Sequence, residues 1–121
     1  MAVRAIRGAT QLKVDDRDHL LASVDELIRE ILTQNGLATD DLISMLFTAT
    51  PDLHSEFPAL AARQLGIGDV PLLCTQELDI AGAMPRVIRV MLHFYAPAGH
   101  EPAHVYVGEA QKLRTDLEAA Q

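Results

Sequence analysis

The chain has a single cysteine, and its positive charge is scarce: 10 Lys and Arg stand against 17 Asp and Glu, a formal charge of −7. A lone thiol, Cys74, has no intramolecular disulfide partner, so the sequence reads as made for a reducing compartment, the cytoplasm. An acidic chain offers no basic face to nucleic acid. Charges interrupt every apolar run, and none approaches the ~20 residues of a membrane span. Met1 to Thr10 carry Arg4 and Arg7 in a strand-like stretch and lack the apolar centre of a signal peptide. Internal repeats and low-complexity segments are also missing. What is left is one domain over the 121 residues. At that length roughly 60–70 % of the unfolded surface can be buried, enough for one sheet covered by a helix.

Val3 to Ala9 alternates as a strand, with Val3, Ala5 and Arg7 on one face and Arg4, Ile6 and Gly8 on the other. The clearest helix follows: Leu20, Leu21, Val24, Leu27, Ile28, Ile31 and Leu32 form one stripe at helical spacing. Asp15 or Asp16 can cap its start, and Asn35-Gly36 its end. Leu42 to Thr50, Val70 to Gln76, Val87 to Tyr95 and His104 to Val107 read as further strands. Pro58 opens a short helix with Leu60, Ala61 and Leu65 apolar and Gly66 as its stop. Lys112 to Gln121 is a polar tail. The expected fold is α/β (α+β): about five strands in a mixed sheet, one long helix and one or two short ones. The long helix can cover one sheet face; the other is left for solvent or other subunits. The acidic blocks Asp15–Asp18, Asp25–Glu30 and Asp40–Asp41 read as solvated helix surface.

Arg89 stands in Val87-Ile88-Arg89-Val90-Met91, where a guanidinium is costly to desolvate unless paired. It is either an edge residue, half of a structural ion pair, or an anion-binding group, and Arg7 presents the same choice. Two arginines in separate strands favour a small anionic ligand, because guanidinium pairs with carboxylate in a two-pronged geometry. Glu77, at a strand end, is a solvated carboxylate or a partner for one of them. Cys74 reads as a small core residue. His100-Glu101-Pro102-Ala103-His104 matches a zinc-protease pattern in letters only. That chemistry needs both histidines on one helix face, and Pro102 opposes the helix. His19, His54 and His93 lack ligand spacing, and no metal is expected.

Five segments together resemble a known family. Arg4-Ala5-Ile6-Arg7-Gly8-Ala9-Thr10, Thr48-Ala49-Thr50-Pro51-Asp52-Leu53-His54 with Phe57-Pro58-Ala59, Cys74-Thr75-Gln76-Glu77-Leu78-Asp79, Ile88-Arg89-Val90-Met91 and His104-Val105-Tyr106 are similar, in order and spacing, to monofunctional AroH-class chorismate mutases. The resemblance runs from about Val3 to Leu117. It implies a homotrimeric pseudo-α/β barrel with clefts between adjacent subunits, converting chorismate to prephenate without metal or cofactor, on the route to phenylalanine and tyrosine. It implies that Arg89 holds the ether oxygen and a carboxylate, that Arg7 and Tyr106 bind the enolpyruvyl carboxylate, and that Glu77 and the Cys74 region face the ring hydroxyl. Phe57 and Leu113 would line the wall, with Arg63 and Arg114 at the mouth. The family often has lysine where this chain has Leu60, which implies weaker attraction for the substrate and a higher KM. A trimeric imine deaminase and a non-catalytic anion-binding protein are the competing readings; the loop sequences do not favour the first, and an inactive relative should lose Arg89 or Glu77 early.

Overall fold

A computed structural model describes residues 1–113; Arg114 and the remaining tail lie outside the described residues. Strands β1 (Ala2–Gln11), β2 (Leu42–Ala49), β3 (Leu72–Gln76), β4 (Val87–Ala96) and β5 (Val105–Val107) form one sheet in the order β3-β2-β4-β1-β5. β4 is antiparallel to both of its neighbours, whereas the β2–β3 and β1–β5 pairs are parallel. The expected mixed sheet is therefore present. Helix α1 (Arg17–Asn35) lies across one face, and the short α2 (Ala59–Gln64) stands between β2 and β3 in sequence.

The stripe read at helical spacing is the buried face of α1, apart from Leu32, which is only partly covered. Asp16 caps the helix by accepting the N–H of His19 at 3.0 Å, and Gly36 ends it at φ 61°. Against α1 pack Ile6, Met45, Phe47, Ile88, Leu92 and Phe94, all fully buried. Gly8 permits that approach: a Cβ there would lie 2.8 Å from Ile31 Cδ1 and 3.0 Å from the carbonyl oxygen of Val105. At the other end of α1 the buried Asn35 side chain donates to the carbonyls of Ile31 and Ala103 and accepts the N–H of Ala103 at 2.8 Å. It ties the helix terminus to the segment preceding β5. His100 packs its ring edge-on against Phe94, with centroids 5.3 Å apart, in a stretch that is not helical. The zinc-like letters therefore do not form the helical face that zinc chemistry needs.

Among the described residues no long helix covers the opposite face; only the turn Gly108–Ala110 and Leu113 pack on it, at Ala9 and Tyr106. Val3, Leu46, Leu73, Met91 and Tyr95 are all substantially exposed there, Leu73 by 59 % and Val3 by 56 %. Along β1 the alternation of Ile6 and Gly8 with Val3, Ala5 and Arg7 is the one expected from the sequence.

The acidic block at the start of α1 is not all solvated surface. Asp15 accepts the backbone N–H groups of His54 and Ser55 at 2.9 and 3.2 Å, and Arg17 pairs with Glu56 at 3.1 Å. These contacts fasten the loop between β2 and α2, which carries Phe57. The Ser55 hydroxyl foremost, then the two backbone donors and the His54 charge, hold the Asp15 carboxyl below its ordinary range, outweighing desolvation. The Ser55 hydroxyl lies near the carboxyl without a hydrogen bond to it, so the two backbone donors are the contacts that define the loop.

Two substitutions test this frame. Gly8→Ala is expected to cost about 1–3 kcal/mol, because the methyl meets a backbone oxygen as well as a movable side chain; unchanged urea unfolding would contradict the close approach. Asp15→Ala is expected to cost about 1 kcal/mol at neutral pH, a low value for charged hydrogen bonds because solvent reaches them. A depressed carboxyl pKa stabilises the fold above the unfolded value, and that contribution is lost as pH falls through the folded one. The two proteins should therefore converge in stability below about pH 4. A gap that is independent of pH would assign the effect to packing instead.

Candidate active site

Strand register assembles a row of side chains across the uncovered face. Thr75 on β3 pairs with Thr48 on β2, Thr48 with Arg89 on β4, Arg89 with Ala9 on β1, and Ala9 with Tyr106 on β5. Neighbouring strands are ~4.8 Å apart, so Tyr106 stands about 10 Å from Arg89 at the backbone. Ala9 is the small residue between them, fully buried beneath Tyr106, Ala110 and Leu113. Arg7 lies two residues along β1 on the same face, opposite Met91. Its backbone N–H donates to Nδ1 of His104 at 3.0 Å, which continues the β1–β5 pairing beyond Val105. That bond puts the proton of a neutral imidazole on Nε2.

Glu77 extends β3 by one more bond, its N–H donating to the carbonyl of Ala49 at 2.9 Å. Its Oε1 accepts the Thr48 hydroxyl at 2.7 Å and lies 2.8 Å from Nε of Arg89. The Nε–H does not point along the line to that oxygen. The contact is therefore an ion pair at short range without hydrogen-bond alignment. Among the described residues nothing engages Oε2 of Glu77 or the two terminal nitrogens of Arg89. The Arg89 side chain is 40 % exposed on the open face, although its Nε is buried.

The other arginines sort themselves by partner. Arg4 donates to the carbonyls of Ala98 and His100, and Arg17 and Arg29 pair with carboxylates. Arg86, held at φ 53°, donates through Nε to the carbonyl of Leu12 and through its backbone N–H to Asp52. Among the described residues, the side chains of Arg7 and Arg63 have no partner at all.

Phe57, Arg63 and Cys74 occupy a different region. With Ala59, Leu72 and Leu73 they line a shallow hollow of about 300 Å³ beside β3, the edge strand. A second hollow, about 350 Å³, lies between the loop of Thr50 to Pro58 and the strand end Cys74 to Gln76. Cys74 pairs with the buried Phe47, so its thiol is on the helix side of the sheet, packed against the core. Neither hollow is lined by Arg7, Glu77, Arg89 or Tyr106. One chain thus carries two groups of candidate residues, one on the open face and one around the β3 edge, and does not bring them together. Leu113 joins Tyr106, whereas Arg114 lies outside the described residues. Leu60, where the family often has lysine, packs against the core.

Thr48, in the segment Thr48 to His54, contacts the Glu77 carboxylate and is not among the residues expected at the site. A hydroxyl between two strand residues carries no signal until the register shows Arg89 beside it.

The comparisons agree on a family. Residues 3–117 match chorismate mutase type I. The chain is 42 % identical to the chorismate mutase AroH of Thermus thermophilus, over 98 % of this chain and 99 % of that one. It is 39 % identical to the chorismate mutase AroH of Bacillus subtilis, over 97 % and 94 %. A solved chorismate mutase from Clostridium thermocellum superposes with a TM-score of 0.86 at 39 % identity, covering 90 % of this chain and 98 % of that one. A mixed sheet with arginine and glutamate paired on its open face, matched along nearly its whole length, places this chain in the chorismate mutase type I family.

Proposed function

We propose that this protein rearranges chorismate to prephenate at clefts between the subunits of a homotrimer, with Arg89 as the principal catalytic group. The observation that carries the mechanism is the state of Arg89. One side of its guanidinium is fixed by Glu77, and its terminal nitrogens are unengaged on an accessible sheet face.

Chorismate carries two carboxylates, so its site needs positive charge even in an acidic protein. Its rearrangement is pericyclic: one C–O bond breaks while one C–C bond forms within the same molecule. No proton has to move and no nucleophile has to attack. The contributions left to a protein are holding the enolpyruvyl arm over the ring and stabilising charge that appears as the bond breaks. Negative charge grows on the ether oxygen, so a fixed guanidinium there binds the transition state better than the ground state. In this reading Arg89 meets that oxygen and a carboxylate, and Arg7 and Tyr106 receive the enolpyruvyl carboxylate. Oε2 of Glu77 accepts from the ring hydroxyl. Leu113 joins the wall, and Arg114 completes the mouth.

Phe57, Arg63 and the Cys74 region would come from the neighbouring subunit. The support is spatial: they surround the β3 edge, away from the open-face group. A contact joining the β3 edge of one copy to the open face of the next is head-to-tail, and such contacts close into a ring when the rotation between copies is a whole fraction of a turn, one third for a trimer. The exposed apolar row Val3, Leu46, Leu73, Met91 and Tyr95 supplies surface for that association. Among the described residues no helix is long and apolar enough to cross a membrane, and the unpaired Cys74 fits a cytoplasmic setting.

Purified protein should consume chorismate, followed by loss of its ultraviolet absorbance and by acid conversion of the product to phenylpyruvate. Arg89→Ala should lower kcat by on the order of 10²–10³ in a protein that keeps its size by light scattering. Near-normal kcat would remove Arg89 from the principal role. The shared site has its own test, in which Arg89→Ala is mixed and refolded with Phe57→Asp, which puts a carboxylate beside a dianion. Random trimers should recover about a quarter of native activity, since three in four are mixed and each mixed ring has one intact cleft of three. No recovery would put the whole site within one chain.

A further inference from the structure

We propose that Thr48 is a positioning residue that keeps Arg89 available to the substrate by stopping Glu77 from closing a two-pronged pair on it. The proposal rests on the reading of Arg89 and Glu77 given above.

An arginine beside a carboxylate ordinarily forms a fork, two parallel N–H···O bonds that use Nε, one terminal nitrogen and both carboxylate oxygens. That arrangement would be poor for the reaction. It would occupy a terminal nitrogen that the ether oxygen needs and the oxygen that the ring hydroxyl needs. The geometry here departs from the fork in a specific way. Thr48 Oγ1 donates to Oε1 at 2.7 Å, and the same Oε1 lies 2.8 Å from Nε of Arg89. One oxygen serves both partners, and the arginine N–H is out of line with it. Among the described residues the other oxygen and both terminal nitrogens remain unengaged. The Thr48 hydroxyl draws the carboxylate towards β2 and off the axis of the guanidinium.

The backbone gives Thr48 a fixed position from which to act. It is the register partner of Arg89 on one side and of Thr75 on the other, and Ala49 accepts the N–H of Glu77. All three residues therefore sit on hydrogen-bonded ladders in the centre and at one side of the sheet. Side-chain rotation is the remaining freedom, and the hydroxyl removes it for Glu77. Without the hydroxyl, Glu77 can rotate into the fork, and the substrate then has to break a charge-assisted pair before it meets Arg89.

The experiment compares Thr48→Val, which keeps the shape and strand preference but deletes the donor, with Thr48→Ser, which keeps the donor and deletes the methyl. Both are measured for kcat and KM with chorismate, together with Glu77→Ala and the double variant Thr48→Val/Glu77→Ala. Thr48→Val should lose on the order of 10-fold in kcat, the equivalent of one hydrogen bond, and Thr48→Ser should stay within about 2-fold of native. Thr48→Val should add nothing once Glu77 is gone. A packing role would instead show in Thr48→Ser, and would persist in the double variant. Native kcat in Thr48→Val, with Glu77→Ala impaired, overturns the proposal and leaves the reading of Glu77 standing. Native kcat in both overturns the role of Glu77, and the proposal falls with it.

Discussion

A sheet of five strands has two faces, and the 19 residues of α1 suffice to cover one. Much of the molecule follows from that shortage. The covered face is filled by Ile6, Met45, Phe47, Leu92 and Phe94, and it leaves little room for anything larger than glycine at position 8. On the open face the alternate residues of the same strands include both aliphatic side chains and the charged group of Arg89 and Glu77. A face of this composition is unsatisfactory in water, because Leu73 and Val3 are more than half exposed. It is also unsatisfactory as a sealed core, because a guanidinium is costly to dehydrate without full pairing. Covering it with another copy of the chain, and leaving a wet cleft at the arginines, meets both demands. The position of the proposed site and the proposed association would then have one cause.

Placing the charges on strands suits the proposed mechanism, which uses no acid, base or nucleophile. Where catalysis consists of holding a flexible molecule and matching one developing charge, errors of a fraction of an ångström matter. Thr48, Arg89, Ala9 and Tyr106 are register partners across three successive strand pairings, so their spacing is set by backbone hydrogen bonds rather than loop conformation. Phe57 is different. It is on a loop, 69 % exposed, and its position depends on the ties that Asp15 and Arg17 make from the start of α1. The strand-borne charges and the loop-borne Phe57 thus belong to different kinds of structure, and the loop is fastened by contacts that solvent can reach.

The helix was legible because seven apolar residues repeat at its period, and the two faces of β1 followed from the strand period of two once Val3 to Ala9 was read as a strand. Arg89 stood out for a related reason: a cation amid Val87, Ile88, Val90 and Met91 has to have a purpose. What the sequence did not reveal depends on contacts across long separations. Asp15 looked like helix surface, yet it binds a loop some forty residues away. Thr48 looked like any strand threonine until β2 and β4 were in register. The thiol of Cys74 is three residues from Glu77, yet alternation and the pairing with Phe47 turn it to the opposite face. The family resemblance named both residues for one substrate region, and only the sheet shows that one chain holds them apart.

Charge supplies the last constraint. The net charge of −7 opposes the approach of a dianion at long range, so attraction has to be local. Local attraction needs cations that are not already neutralised. Arg4, Arg17, Arg29 and Arg86 are held by carbonyls or carboxylates, while Arg7 and Arg63, with the terminal nitrogens of Arg89, have no partner among the described residues. These exceptions lie on the two surfaces that a ring would bring together. Leu60 fits the same arithmetic: it packs on the core and contributes no charge, which leaves the attraction to guanidiniums. An arginine left unpaired at a surface costs little, because water solvates it. Its value appears when a second subunit and a substrate exclude that water, so that the same charge then acts in a medium of lower dielectric. Assembly would therefore do more than enclose the substrate; it would strengthen the electrostatic interaction on which the reaction depends.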